Sequence, residues 1–145
     1  GDLAARGQAL IGVYLAGRAY SQAGSGMHHK ICHVLGGRFN LPHAPLHTAV
    51  LPHVTAFNVP GAPDAAHRIA RALGSDDPLT GIDRFYDEVG AERALSALGF
   101  AEADVEESAE LCLPMIPASN PRPVTIGDLR ALLEAARTGE RVSGR

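Results

Sequence analysis

Cysteine is scarce in this chain: only Cys32 and Cys112 occur, far apart and in no Cys-x-x-Cys pair, so neither a zinc knuckle nor a dithiol redox motif is encoded. Both read as small buried apolar residues of a protein in a reducing cytoplasm. An excess of basic charge is missing as well. The formal net charge is -3, the pI is near 6.1 and the thirteen Lys and Arg are scattered, so no positive face is offered to a phosphate backbone and nucleic acid is excluded as a partner. No apolar run nears the roughly 18 to 20 residues that cross a bilayer, because Leu10 to Ala19 is interrupted by Gly12, Gly17 and Arg18. A membrane partner is not expected. No secretory pattern is visible, which again points to the cytoplasm. Consecutive glycines occur only at Gly36-Gly37, with no strand, glycine-rich turn and helix ahead of them, so residues 1–145 hold no dinucleotide-binding fold.

What remains is helical. A hydrophobic content of 46% with 20% charged residues suits one compact all-α domain over residues 1–145, a multi-helix bundle with a real core. Leu3, Leu10, Val13, Tyr14 and Gly17 form a helical stripe, so a first helix is expected from about Asp2 to Ser21 and is expected to pack closely along that stripe. Pro60 to Asp64 and Gly74 to Pro78 break the chain on either side of a helix ending near Leu73. Further helices are expected near Thr80 to Val89, Ala91 to Leu98 and Glu102 to Leu113, the last with Val105, Ala109 and Cys112 inward and its glutamates solvated. Thr125 and Asp128 form a capping-box-like start for a final helix that turns Leu129, Leu132, Leu133 and Ala136 inward. Gly139 should end it, leaving Glu140 to Arg145 frayed. No internal repeat or low-complexity segment is present.

Six of the seven histidines lie between Met27 and Pro60. Neutral imidazole is the commonest protein ligand for zinc, iron and copper and also titrates nearest physiological pH, so metal binding and acid/base chemistry are both open. His29 and His33 are four apart and share one helix face, as do His43 and His47. Gly36-Gly37 reads as a helix end and Leu41-Pro42 as a helix start, so two short helices joined by a tight turn would bring both pairs to one pocket. Pro52 should kink or break the second helix and aim His53 away from His43 and His47. His67 sits alone in a polar run and reads as structural.

The run His28-His29-Lys30-Ile31-Cys32-His33-Val34-Leu35-Gly36-Gly37, followed by Phe39-Asn40-Leu41-Pro42-His43, resembles the signature of the iron-containing (group III) alcohol dehydrogenases, and within them the maleylacetate reductases. Asp2 to Gly17, Arg68 to Gly74 and Asn120-Pro121-Arg122-Pro123 through Leu133 are similar to the segments around it. The resemblance implies the C-terminal helical domain of the dehydroquinate-synthase-like fold. It implies His29 and His43, fourteen residues apart, as metal ligands, for iron or zinc, and His33 near the nicotinamide and substrate. His28 and His47 join His33 as candidate catalytic residues of the pocket. The superfamily completes its metal site with an acidic residue and another histidine from an earlier helix, and binds NAD(P)H on an N-terminal domain. Neither is found here, so the metal site is expected to be incomplete in this chain and the dinucleotide to reach it only through such a domain.

The leading expectation is therefore the C-terminal part of a maleylacetate reductase-like oxidoreductase, which reduces maleylacetate to 3-oxoadipate with NAD(P)H in aromatic degradation. Its partners would be a small-molecule substrate and an N-terminal domain or a second copy of the chain. Pro45-Leu46 and Met115 to Ser119 depart from the family pattern. They leave room for an alternative, a stand-alone domain repurposed for cofactor-independent acid/base catalysis as a cyclase, isomerase or dehydratase. A packing or oligomerisation module is the non-enzymatic alternative.

Overall fold

The computed structural model describes residues 2–143. Seven α-helices follow one another: α1 (Leu3–Ala23), α2 (Met27–Phe39), α3 (His43–Asn58), α4 (Pro63–Ala72), α5 (Pro78–Val89), α6 (Asp104–Cys112) and α7 (Ile126–Thr138). Short 3-10 turns cover Val59–Gly61, Leu95–Leu98 and Leu113–Met115. No strand occurs among the described residues, as the all-α reading expects.

The core lies where α2, α3, α6 and α7 meet. Ile31, Leu35, Leu46, Leu129 and Leu133 are fully buried there, each worth about 1.5–3 kcal/mol for leaving water. Helix α7 is held at its start by the expected box: the Asp128 amide donates to Thr125 Oγ1 (3.2 Å) and the Thr125 amide to Asp128 Oδ2 (2.8 Å). Gly139, at φ 72, closes it.

Several expectations fail for physical reasons. Gly36-Gly37 does not end α2, which continues to Phe39 and stops at Asn40 in the left-handed conformation (φ 53). Gly36 instead sits inside the helix facing α3, where a Cβ would meet the Leu46 side chain at an ordinary contact distance of 3.4 Å. The helix expected over Ala91 to Leu98 shrinks to the 3-10 turn at Leu95–Leu98, because Gly90 ends α5 at φ 63 and the Glu92 carboxylate accepts from the Arg93 and Ala94 amides (2.8 and 2.9 Å), turning the chain locally. Pro52 does not break α3. A proline at 52 cannot donate to the carbonyl four residues back, that of Thr48, and the Tyr86 hydroxyl donates to that carbonyl instead at 2.8 Å.

The C-terminal residues are not frayed up to the last described one. Asp83, a carboxylate 2% exposed, accepts from the amides of Val142 (3.1 Å) and Ser143 (2.8 Å) and from the Ser143 hydroxyl (2.6 Å), and Val142 is buried. Residues 144–145 lie outside the described residues. Helix α1 forms as expected, with the Asp2 carboxylate accepting from the Ala4 amide at 2.9 Å, but its stripe does not pack. Leu3, Leu10, Val13 and Tyr14 are all exposed, and no residue of α1 is buried.

Candidate functional site

Helices α2 and α3 pack against each other over a three-residue link and bring five histidine rings into one cluster. His47 is its hub. Its ring centroid lies 4.2 Å from His43, 4.9 Å from His28, 4.9 Å from His29 and 6.5 Å from His33. His29 and His33, one turn apart on α2, are 6.1 Å apart. Tyr20 of α1 stacks on His29 at 4.6 Å, which places the last turn of α1 over the cluster. The sequence spacing thus delivers both pairs to one place. His28, His29 and His47 are half-buried, whereas His33 and His43 are exposed on the solvent side.

The cluster holds its inner rings neutral. Burial, with the neighbouring histidines that repel a second positive charge adding to it, pulls the His47 imidazole down to about 4. Burial also lowers His28, with the His47 carbonyl opposing it, and lowers His29, with His33 and His43 adding to the effect. The His28 Nε2–H donates to the His47 carbonyl at 3.0 Å; a carbonyl can only accept, so the lone pair of that ring is left on Nδ1. Buried His47 Nε2 has no hydrogen-bond partner.

Cys32 is part of this neighbourhood and was not among the residues the sequence singled out. One ring nitrogen each of His28 and His47 and the Cys32 Sγ all lie within 4.8 Å of one another. The available signal was the spacing, since His28 and Cys32 are four apart and share a helix face. Burial pushes the Cys32 thiol up to about 12, with Cys112 adding to it. His53 is buried on another side, lining a cavity with Asp128 and Leu132, apart from the cluster as expected. His67 is exposed on α4. Beside His28 and His47 opens a cavity of about 670 Å³, walled mainly by apolar residues of α3, α4 and α5 such as Leu51, Ile69, Phe85 and Val89.

Comparison with known proteins places this arrangement. Residues 1–137 match the Fe-containing alcohol dehydrogenase family, C-terminal. The chain belongs to that family. It is 44% identical to the maleylacetate reductase of Sphingobium indicum, over 95% of this chain and 39% of the relative. It superposes on an iron-containing alcohol dehydrogenase from Corynebacterium glutamicum with a TM-score of 0.95 and 48% identity, covering 98% of this chain and 40% of that one. The maleylacetate reductase of Rhizobium sp. strain MTP-10005 follows with a TM-score of 0.74 and 39% identity, over 81% of this chain and 33% of that one. The chain spans about two fifths of the length of the curated relatives it matches. No helix among its described residues is long and apolar enough to cross a membrane.

For a member of an iron-containing family the question is whether these side chains suit a metal. In kind they do. A ligand imidazole must be neutral, and burial holds His29 toward that state, while His29 and His43 both lie against the His47 ring, at 4.9 and 4.2 Å between centroids. In number His29 and His43 fall short, because two imidazoles are fewer than the about four donors of a stable site.

Proposed function

We propose that the chain is the metal-bearing helical part of an enzyme that reduces maleylacetate to 3-oxoadipate with NADH or NADPH. The observation that carries the reading is the convergence of His29, His33 and His43, at the spacing of the family signature, on one histidine cluster in a chain 44% identical to a maleylacetate reductase. His29 and His43 would hold a divalent iron or zinc ion together with ligands from outside these residues. When bound, that ion supplies Lewis-acid polarisation of the substrate oxygen and the reduced nicotinamide supplies hydride.

The chain's own contribution is positioning and proton handling. His33, exposed and one turn from His29, would exchange a proton between the substrate oxygen and water. His47, kept neutral well below physiological pH, fixes the tautomer of His28 through its carbonyl and lies against the rings of His29 and His43. Tyr20 covers part of the His29 ring.

The bare surface of α1 supports the same reading. Large exposed apolar patches mark interaction surfaces, so the exposed Leu10, Ile11, Val13 and Tyr14 suit coverage by an N-terminal domain or a second subunit. Cofactor-independent acid/base catalysis draws no support from the relatives, which are reductases and alcohol dehydrogenases. The test is consumption of NADH or NADPH by the polypeptide of the natural gene. Oxidation that depends on added maleylacetate is expected, and an enzyme that turns over simple alcohols but not maleylacetate would overturn the substrate assignment.

A further inference from the structure

We propose that His28, Cys32 and His47 form a second cation site, for a soft or borderline ion of the zinc or copper(I) class, separate from the pair His29 and His43 that the family signature assigns. The three donors sit on two helices whose packing is fixed by the core: His28 and Cys32 one turn apart on α2, His47 facing them from α3. Their donor atoms already lie within 4.8 Å of one another. Tetrahedral zinc bonded at its usual distances to sulfur and nitrogen sets donor separations of about 3.3–3.8 Å, so side-chain shifts of about an ångström complete the grip.

Two features distinguish this from three residues merely packed together. His47 Nε2 is buried without a hydrogen-bond partner, a polar atom that an ion can engage. The His28 tautomer is set by the His47 carbonyl, which leaves that ring a free lone pair. The donor set contains no oxygen, which disfavours magnesium and calcium and favours an ion that accepts thiolate and imidazole. Three protein ligands leave one coordination position open. His28 and His47 also line the apolar cavity of about 670 Å³, so an ion between them stands at its wall and would receive the single donor group of an otherwise apolar molecule.

Binding is a proton exchange and not a redox step. The Cys32 S–H bond breaks, its proton passes to solvent, and the sulfur lone pair forms the bond to the ion; the two neutral imidazoles bind through lone pairs and release nothing. Cobalt(II) is the probe, because a thiolate ligand gives it a charge-transfer absorption that imidazole and carboxylate do not. Titrating the metal-free protein is expected to produce that band, saturating at one equivalent with release of a proton. Cys32→Ser should abolish the band and weaken cobalt binding by at least about tenfold, whereas Cys112→Ser and the double variant His29→Ala/His43→Ala should keep it. Should Cys32→Ser fail to fold by circular dichroism, half-buried His28→Gln serves in its place and should weaken binding by about the same factor. Cobalt bound without a thiolate band, a band that survives Cys32→Ser, or one lost with His29 and His43 overturns the proposal. Because the readout is a thiolate band and not turnover, it stands or falls apart from the reductase reading.

Discussion

Around Asp83 and around His47 the fold buries polar groups at two places and finishes them differently. The Asp83 carboxylate is saturated: Oδ1 accepts from Arg93 at 2.6 Å, and Oδ2 accepts from two backbone amides and the Ser143 hydroxyl. Arg93 in turn donates to the Asp83 carbonyl at 2.7 Å, reaches Asp87 at 2.9 Å and lies over the Tyr86 ring at 5.1 Å. Every group there has a partner, and the result is a clasp tying the end of the chain to α5. The histidine cluster has the opposite character, with imidazoles packed edge-on against imidazoles and a buried nitrogen left without a partner. Satisfied buried polarity holds a fold, and unsatisfied buried polarity is where a ligand or a reaction can enter.

That contrast can be broken by mutation. Asp83→Ala takes the acceptor from two amides and the Ser143 hydroxyl and one of the Arg93 partners, and is expected to cost about 3–5 kcal/mol in urea or thermal denaturation; a loss below about 1 kcal/mol would show that the clasp is ornamental. The same carboxylate sets a pH window. Burial raises its pKa, but the bonds from Ser143 and Arg93 outweigh burial and hold it below the ordinary 3.8. Its contribution is therefore complete above 3.8 and is lost as pH falls below that value through the folded pKa. An acid titration of stability should show this loss in the wild type and not in Asp83→Asn.

Next in size is Tyr86→Phe, which removes the donor to the Thr48 carbonyl left free by Pro52. Loss of about 1–3 kcal/mol is expected, and a neutral outcome would mean that water replaces the hydroxyl without cost. The smallest effect on stability belongs to the site itself. His47→Leu removes a ring whose Nε2 bonds to nothing, so the melting free energy should stay within about 1 kcal/mol of wild type, while the proposed activity falls. A loss as large as that of Asp83→Ala would assign His47 to the scaffold.

The elements with strong local signals were legible in the sequence. Thr125 with Asp128 fixed the start of α7, its apolar spacing fixed the buried face, and the four-residue histidine spacing fixed which rings would meet. What escaped depended on contacts distant in sequence. Nothing near Pro52 foretells that Tyr86 will take its orphan carbonyl, and nothing near Asp83 foretells that residues 142–143 will return to it. Gly36 was read as a stop because its packing neighbour, Leu46, lies on another helix. Helix α1 shows the reverse failure: its apolar spacing predicts the helix, but none of the described residues packs against the stripe. Cys32 is buried as the sequence suggested, but its nearness to His47 depended on the facing helix and was not legible locally.

The most direct test of the account is the turnover of maleylacetate by the protein of the natural gene carrying His43→Ala. Position 43 is exposed, so stability should hardly change. If His43 is a metal ligand of a reductase, kcat should fall by about 100-fold or more, with the melting temperature close to wild type. Full turnover in a folded His43→Ala protein would contradict the assignment of the histidine face as the catalytic metal centre.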